Sequence, residues 1–276
     1  MKNKESYSIE KLKSDALKIR LKILKMAFES GGGQHLGGGL SMVEIMSYLY
    51  SYLIDVDSVK AKLNNRNRFI LSKGHGVLGF YPVLHHYGLI PSLVLQTYKK
   101  ELSELISHPI RNLDYGIESS NGSLGHGLSY GAGIAYALKA KKINSNVYVL
   151  IGDGECNEGS IWEAAMSAST LKLDNLTCII DYNGFQSDGL TTNIINQENL
   201  ADRWNSFGWQ VIEIDGHSFT EIDKSFRTKH QVDKPKLILA RTIKGKGVGF
   251  MENDNNWHHG RLTESLYQEA IKSLNL

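Results

Sequence analysis

Asp153 and Asn183 each follow a short apolar run, VYVLI (147–151) and LTCII (176–180), and each stands among glycines at 152, 154 and 184. Between them, residues 158–173 read as a helix, so the run 151–189 is a strand–loop–helix–strand–loop unit. In such a unit both loops emerge at one end of a parallel sheet. One carboxylate and one neutral amide oxygen suit a hard divalent cation that keeps part of its shell for phosphate oxygens. The glycines let the backbone come close to whatever is bound. The chemistry expected here is metal-assisted binding of a diphosphate.

Histidines form the second set of candidates. His35 lies in SGGGQHLGGGLS (30–41), His75 in LSKGHG (71–76) and His108 in ISHP (106–109). His126 lies in NGSLGHGLS (121–129), and His258 and His259 lie in WHHGRL (257–262). An imidazole near neutral pH can both donate and accept a proton, so such a group can manage hydroxyls and oxyanions. The chain holds 10 histidines, enough for some to be only satisfied structural side chains. His85, His86, His217 and His230, with no glycine loop or strand end beside them, are read that way.

The elements that must position these groups alternate. Helices are expected over 8–28, 41–53, 79–87, 91–101, 124–142, 158–173, 197–207 and 219–230, and strands over 68–72, 147–151, 176–180, 209–214 and 236–241. Ser41 with Glu44 three residues on reads as a capping box. Residues 102–123 look irregular. This order predicts an α/β fold, a mostly parallel central sheet with helices on both faces, whose cofactor groups gather at the carboxyl ends of the strands. Residues 1–276 read as one domain with a looser tail from about 242. In the helix over 124–142, Gly131, Ala132, Gly133, Ala135 and Ala137 fit close packing, either inside one protomer or at an interface between protomers.

Composition narrows the function classes. A hydrophobic share of 41% and a charged share of 22% are ordinary for a globular enzyme. The net charge of +2 comes from scattered Lys and Arg, which argues against nucleic acid as a partner. Apolar runs are too short to span a bilayer, and the polar start MKNKESYSIEKLKSDALKIR lacks the apolar centre of a signal peptide. Two cysteines, Cys156 and Cys178, make no disulfide framework. A cytoplasmic protein is expected. No Gly-x-Gly-x-x-Gly follows the first expected strand, so a nicotinamide-binding domain lacks its basis.

The run 151–189 resembles the metal–diphosphate signature of thiamine-diphosphate enzymes. Glu158-Gly159, Trp162-Glu163-Ala164-Ala165 and Asp181-Tyr182-Asn183-Gly184-Phe185-Gln186 are similar specifically to transketolase. The resemblance implies the thiamine-diphosphate-binding fold, with thiamine diphosphate and Mg2+ (or Ca2+) as cofactors. Asp153, Asn183 and a main-chain carbonyl at Phe185 would be the protein's metal ligands. His35 would approach the thiazolium and the substrate hydroxyls, although Gln34 stands where the family usually has glycine. His75 would contact the diphosphate and line the substrate channel, and His108 would join the active site. Gly122, Ser123 and Leu124 would pass the cofactor through backbone, with Gly154 beside the diphosphate. His259 would reach the diphosphate or the substrate carbonyl, and Glu158 would lie near the dimer axis.

The resemblance covers residues 10 to 270, yet only the diphosphate-binding part of a full-length transketolase. The family also needs a pyrimidine-binding domain, which carries the glutamate that triggers cofactor ionisation and basic residues for a sugar phosphate. The chain ends at Leu276 in what reads as a terminal helix. The expectation is the N-terminal subunit of a two-chain transketolase. It would form an α2β2 assembly with a C-terminal subunit and act on sugars or sugar phosphates. The same half of a 1-deoxyxylulose-phosphate synthase or of a 2-oxo acid decarboxylase, a fragment, and a non-catalytic relative remain the alternatives.

Overall fold

The computed structural model describes residues 8–197 and 199–274. The first seven residues of the polar start, Glu198, and the chain end at 275–276 lie outside them. Strands form where β-branched and aliphatic residues run together: β1 (Arg68–Leu71), β2 (Val147–Gly152), β3 (Leu176–Tyr182), a small hairpin of β4 (Phe185–Gln186) and β5 (Gly189–Leu190), then β6 (Gln210–Asp215) and β7 (Lys236–Arg241). Five of them make a sheet in the order β1-β2-β3-β7-β6, with every pairing parallel. The register sets Gly152 beside Asp181 and Asp181 beside Ala240, so the loops after β2, β3 and β7 leave the sheet at one level.

Alternate side chains feed two cores, which is why the strands read as continuous apolar runs. Phe69, Leu71, Tyr148, Leu150, Ile179 and Ile238 face one layer, built around α1 (Ile9–Glu29), α2 (Leu36–Leu40), α3 (Val43–Tyr48), α4 (Val56–Lys60) and α5 (Val77–His86). After a short α6 (Ser92–Leu95) the chain crosses to the other face. There Ile70, Val149, Ile151, Cys178, Ile180 and Leu239 pack with α7 (His126–Ala140) and α8 (Gly159–Thr170). A one-turn α9 (Thr191–Ile194) and α10 (Leu200–Ser206) follow on this side, with Trp204 fully buried. α11 (Phe219–Arg227) and α12 (Glu264–Leu274) return to the first layer, where Tyr267 stacks on Phe28 at 4.5 Å. Among the described residues no helix is long and apolar enough to cross a membrane.

Three local expectations change. Ser41 caps no helix start. The Gly-rich run after His35 makes the extra turn α2, and the Ser41 hydroxyl goes to the Asp181 carboxylate at 2.5 Å. Glu44 forms no capping box. Arg20 Nη1 holds it at 2.7 Å and His217 Nδ1 at 3.0 Å, so buried charge pairing overrides the local cap. The helix expected over 91–101 stops after Leu95, and Lys99 and Leu102 take left-handed conformations with φ of 57° and 60°. The segment after 242 makes short 3-10 turns and α12, and it brings Lys244 and His258 back to the strand ends.

Candidate active site and family

Loops after β1, β2, β3 and β7 surround a cavity of about 440 Å³. Asp153 sits at its β2 edge, 1% exposed. Its Oδ2 accepts hydrogen bonds from the Gly184 N–H at 2.8 Å and the Thr191 hydroxyl at 3.1 Å. Among the described residues no cationic side chain forms an ion pair with it. Burial, with Asp181 nearby adding repulsion, pushes its carboxyl up to about 6. Asn183 is buried across the cavity floor; its Nδ2 donates to Asp181 at 3.2 Å, and its Oδ1 accepts from the Phe185 N–H at 3.1 Å.

A buried, unpaired carboxylate next to an oriented amide oxygen fits a divalent cation, whose charge would keep Asp153 ionised at neutral pH. Among the described residues no group of three or more His, Cys, Asp or Glu is placed to hold a metal. The donor set is therefore mixed, one carboxylate plus neutral oxygens from Asn183 and the main chain at Phe185, with positions left for phosphate.

Asp181, next to Asn183 in β3, is the structural centre of the floor. It is fully buried and accepts from Lys73 Nζ, the Ser41 hydroxyl and the Thr242 hydroxyl. Burial opposes its charge, but Lys73 beside it wins and holds the carboxyl below its ordinary value. Lys73 Nζ also donates to the Gly38 carbonyl at 2.8 Å, so one carboxylate and one ammonium tie together the loops of His35, His75 and Asn183. Glu155, 2% exposed, ties in the Leu124 loop: it accepts from the Ser72 hydroxyl, the Gly125 N–H at 2.8 Å and the Gly152 N–H at 3.1 Å.

His35, His75, His108 and His258 all face the cavity. His35 lies 5.0 Å from His75 and 5.5 Å from His258, ring centre to ring centre. Burial lowers His35 to about 4, His258 to about 3 and His75 well below its ordinary value; the nearby histidines and Lys73 or Lys244 lower them further. These rings are neutral at pH 7 and can donate or accept without carrying charge. His258 accepts at Nδ1 from Lys244 Nζ at 2.7 Å, leaving Nε2 as its donor. A Cβ at Gly74 would stand 2.1 Å from the Asn121 carbonyl, so glycine is what lets the His75 loop lie against the Gly122 loop.

Other expected positions divide between the cavity and its surroundings. Gly122, Leu124, Gly154 and Glu158 line the cavity, and Glu158 is exposed at the start of α8. Ser123 is exposed and His126 opens α7, both outside the lining. His259 also stands outside the lining, packed against His35 at 4.7 Å, while its neighbour His258 faces inward. His85 bonds the Ile90 carbonyl, His86 bonds Asp15, His230 bonds Thr177, and His217 bridges Glu44 and the Ile243 N–H, all away from the cavity.

Two buried lysines, Lys73 and Lys244, also line the cavity and were absent from the sequence-derived candidates. Lys244 follows β7 by three residues, so the strand-end rule that found Asp153 applied to it too. Burial lowers its ammonium to about 8. Two lysines and four neutral imidazoles against one unpaired carboxylate make a cavity that favours an anion bound together with a cation.

The family model described as "Transketolase, thiamine diphosphate binding domain" matches residues 14–274. The chain belongs to the transketolase family. It is 40% identical over 267 residues to one of the separately encoded subunits of the apulose-4-phosphate transketolase of Phocaeicola vulgatus, across 96% of this chain and 94% of that one. It is 40% identical over 244 residues to the 6-deoxy-6-sulfo-D-fructose transketolase subunit SqwG of Clostridium sp. MSTE9, across 88% and 89% of the two chains. Among solved structures, the transketolase of Campylobacter jejuni superposes with a TM-score of 0.88 at 28% identity, covering 98% of this chain and 43% of that one. The chain therefore spans about two fifths of that one-chain enzyme and nearly the whole of the two separate subunits. It is an N-terminal subunit of a split transketolase, a ketol-transferring enzyme, and carries the thiamine-diphosphate-binding domain.

Proposed function

We propose that this chain, joined to a C-terminal subunit with a pyrimidine-binding domain, transfers a two-carbon ketol unit from a ketose or ketose phosphate to an aldose or aldose phosphate. The observation that carries the reading is the buried, unpaired Asp153 beside Asn183, in one cavity with His35, His75, His108 and His258. Thiamine diphosphate, when bound, supplies the carbon nucleophile that carries the two-carbon unit. Asp153, Asn183 and the Phe185 carbonyl hold Mg2+ (or Ca2+) against the diphosphate, and Lys244 adds positive charge on the same wall. Gly122, Leu124 and Gly154 let main chain approach the cofactor. His35 and His258 hydrogen-bond substrate hydroxyls in their neutral forms, His75 bonds the cofactor and substrate, and His108 closes the side near Gly122. His259 contributes through His35.

The two separate subunits similar to this chain are named for a sugar phosphate and a sulfonated sugar, which supports an anionic sugar as substrate. We read residues 1–276 as one domain, the assembly as α2β2 with Glu158 near its axis, and the location as cytoplasmic. Co-purification with the adjacent gene's product, followed by a ketol-transfer assay with thiamine diphosphate and magnesium, tests the function. Turnover of ketoses by the pair supports it. A stable, cofactor-loaded pair that turns over no ketose refutes the ketol-transfer reading.

A further inference from the structure

On the outer side of His35 the structure holds a small cationic rim. Gln34 builds it. This residue exchanges two main-chain hydrogen bonds with Gly260, at 2.8 and 2.9 Å, which ties the His35 loop to the His258–His259 loop. Its side chain is 3% exposed; Nε2 donates to the Ser30 hydroxyl at 2.7 Å, and Oε1 accepts from the Tyr98 hydroxyl at 3.0 Å. A glycine here would have no amide to reach Tyr98. The Gln34–Tyr98 bond therefore fixes the next residue, Lys99, against the His35 loop.

Lys99 Nζ lies 3.9 Å from where a Cβ on Gly32 would sit, and a Cβ on Gly33 would stand 2.4 Å from His259 Cε1. Lysine and histidine thus flank consecutive positions of one loop. Lys99 is also held by its N–H, which donates to the Leu105 carbonyl at 2.9 Å. Its side chain is exposed, and among the described residues no carboxylate pairs with it. The positive charge of Lys99 and His259 is felt at His35, which faces the cavity.

We infer that Lys99, placed by the Gln34–Tyr98 bond and backed by His259, is a specificity-determining residue that receives the distal oxyanion of the sugar substrate. The inference rests on the ketol-transfer reading and deepens it. Basic residues for the sugar phosphate are expected on the partner chain; this rim adds a contact from the present one. A primary ammonium with no internal partner, standing behind the imidazole that meets the sugar hydroxyls, offers a charge-assisted bond to a phosphate or sulfonate carried beyond those hydroxyls.

The test compares a ketose phosphate with its unphosphorylated counterpart, using the assembled pair. In Lys99→Ala the KM for the phosphate ester should rise on the order of tenfold with kcat little changed, as for loss of one charge-assisted bond. The KM for the unphosphorylated sugar should move less than twofold, and Lys99→Arg should restore most of the loss. Gln34→Gly should reproduce the pattern more weakly, because it frees the placement and keeps the charge. Equal changes for both sugars, or no change for either, overturn the inference. A second readout needs no turnover. With thiamine diphosphate and magnesium already bound, inorganic phosphate is titrated while the imidazole resonances of His35 and His259 are followed. Saturable shifts that vanish in Lys99→Ala support the rim, and shifts identical in wild type and variant refute it. Wild-type turnover of neither sugar would refute the ketol-transfer reading, and the phosphate titration would still decide the rim.

Discussion

At the scale of single residues, the site is a contrast between one unpaired anion and several restrained bases. Asp153 lacks an ionic partner while its neighbour Asp181 has Lys73, two hydroxyls and the Asn183 amide. Asp153→Ala should lower the affinity for thiamine diphosphate with magnesium by roughly 100-fold or more. Leaving the Gly184 N–H and Thr191 hydroxyl unpaired costs about 1–3 kcal/mol, so the fold should survive. Cofactor titration by fluorescence checks this, and near-normal affinity would refute the metal assignment. His75→Ala should lower kcat by roughly 10²–10⁴, the range for a positioned acid–base group, with little change in thermal midpoint. Unchanged kinetics in the reconstituted enzyme would remove His75 from the site.

Most of these residues were legible because glycine runs and strand ends mark where ligands meet backbone. Lys73 and Lys244 were not, since a lysine in sequence reads as surface charge until its burial is known. The choice between His258 and His259 was equally hidden. Adjacent residues point opposite ways, and the 3-10 turn at Asn255–Trp257 decides which ring faces the cavity.

At the scale of elements, the sheet was readable and the helix ends were not. Five apolar runs became five parallel strands because both faces are covered, whereas Ser41, Glu44 and the 91–101 segment answer to partners distant in sequence. Glu44 joins α1, α3 and the loop after β6 through Arg20 and His217. Burial opposes its charge, but the two bases prevail and lower its carboxyl from 4.5 to about 2. Because the folded value lies below the unfolded one, its stabilisation is complete above about pH 4.5 and is lost as pH falls toward 2. The shift corresponds to roughly 3 kcal/mol. Denaturant titrations from pH 6 to pH 3 should show wild type losing stability more steeply than Glu44→Gln. Parallel curves would show that the Arg20–Glu44–His217 cluster does not carry this linkage.

At the scale of the whole molecule, α7 settles half of a question that its small residues left open. Gly131, Ala132 and Ala135 are buried, and a Cβ at Gly131 would stand 2.4 Å from Val149, so part of the stripe serves packing onto the sheet. The other face, with Gly133, Ala137, Tyr130 and Tyr136, is exposed, Tyr136 at 51%. Met166 of α8 is 48% exposed as well. This is the surface we assign to contact between subunits, near the exposed Glu158. The central claim is that this chain works only when a second polypeptide completes the cavity. The most direct measurement titrates the partner chain into a fixed amount of this one, with thiamine diphosphate, magnesium and a ketose donor, and follows ketol transfer. The account predicts no transfer by either chain alone and a rate that climbs to a plateau at equal amounts of the two. Appreciable transfer by this chain without a partner would contradict it.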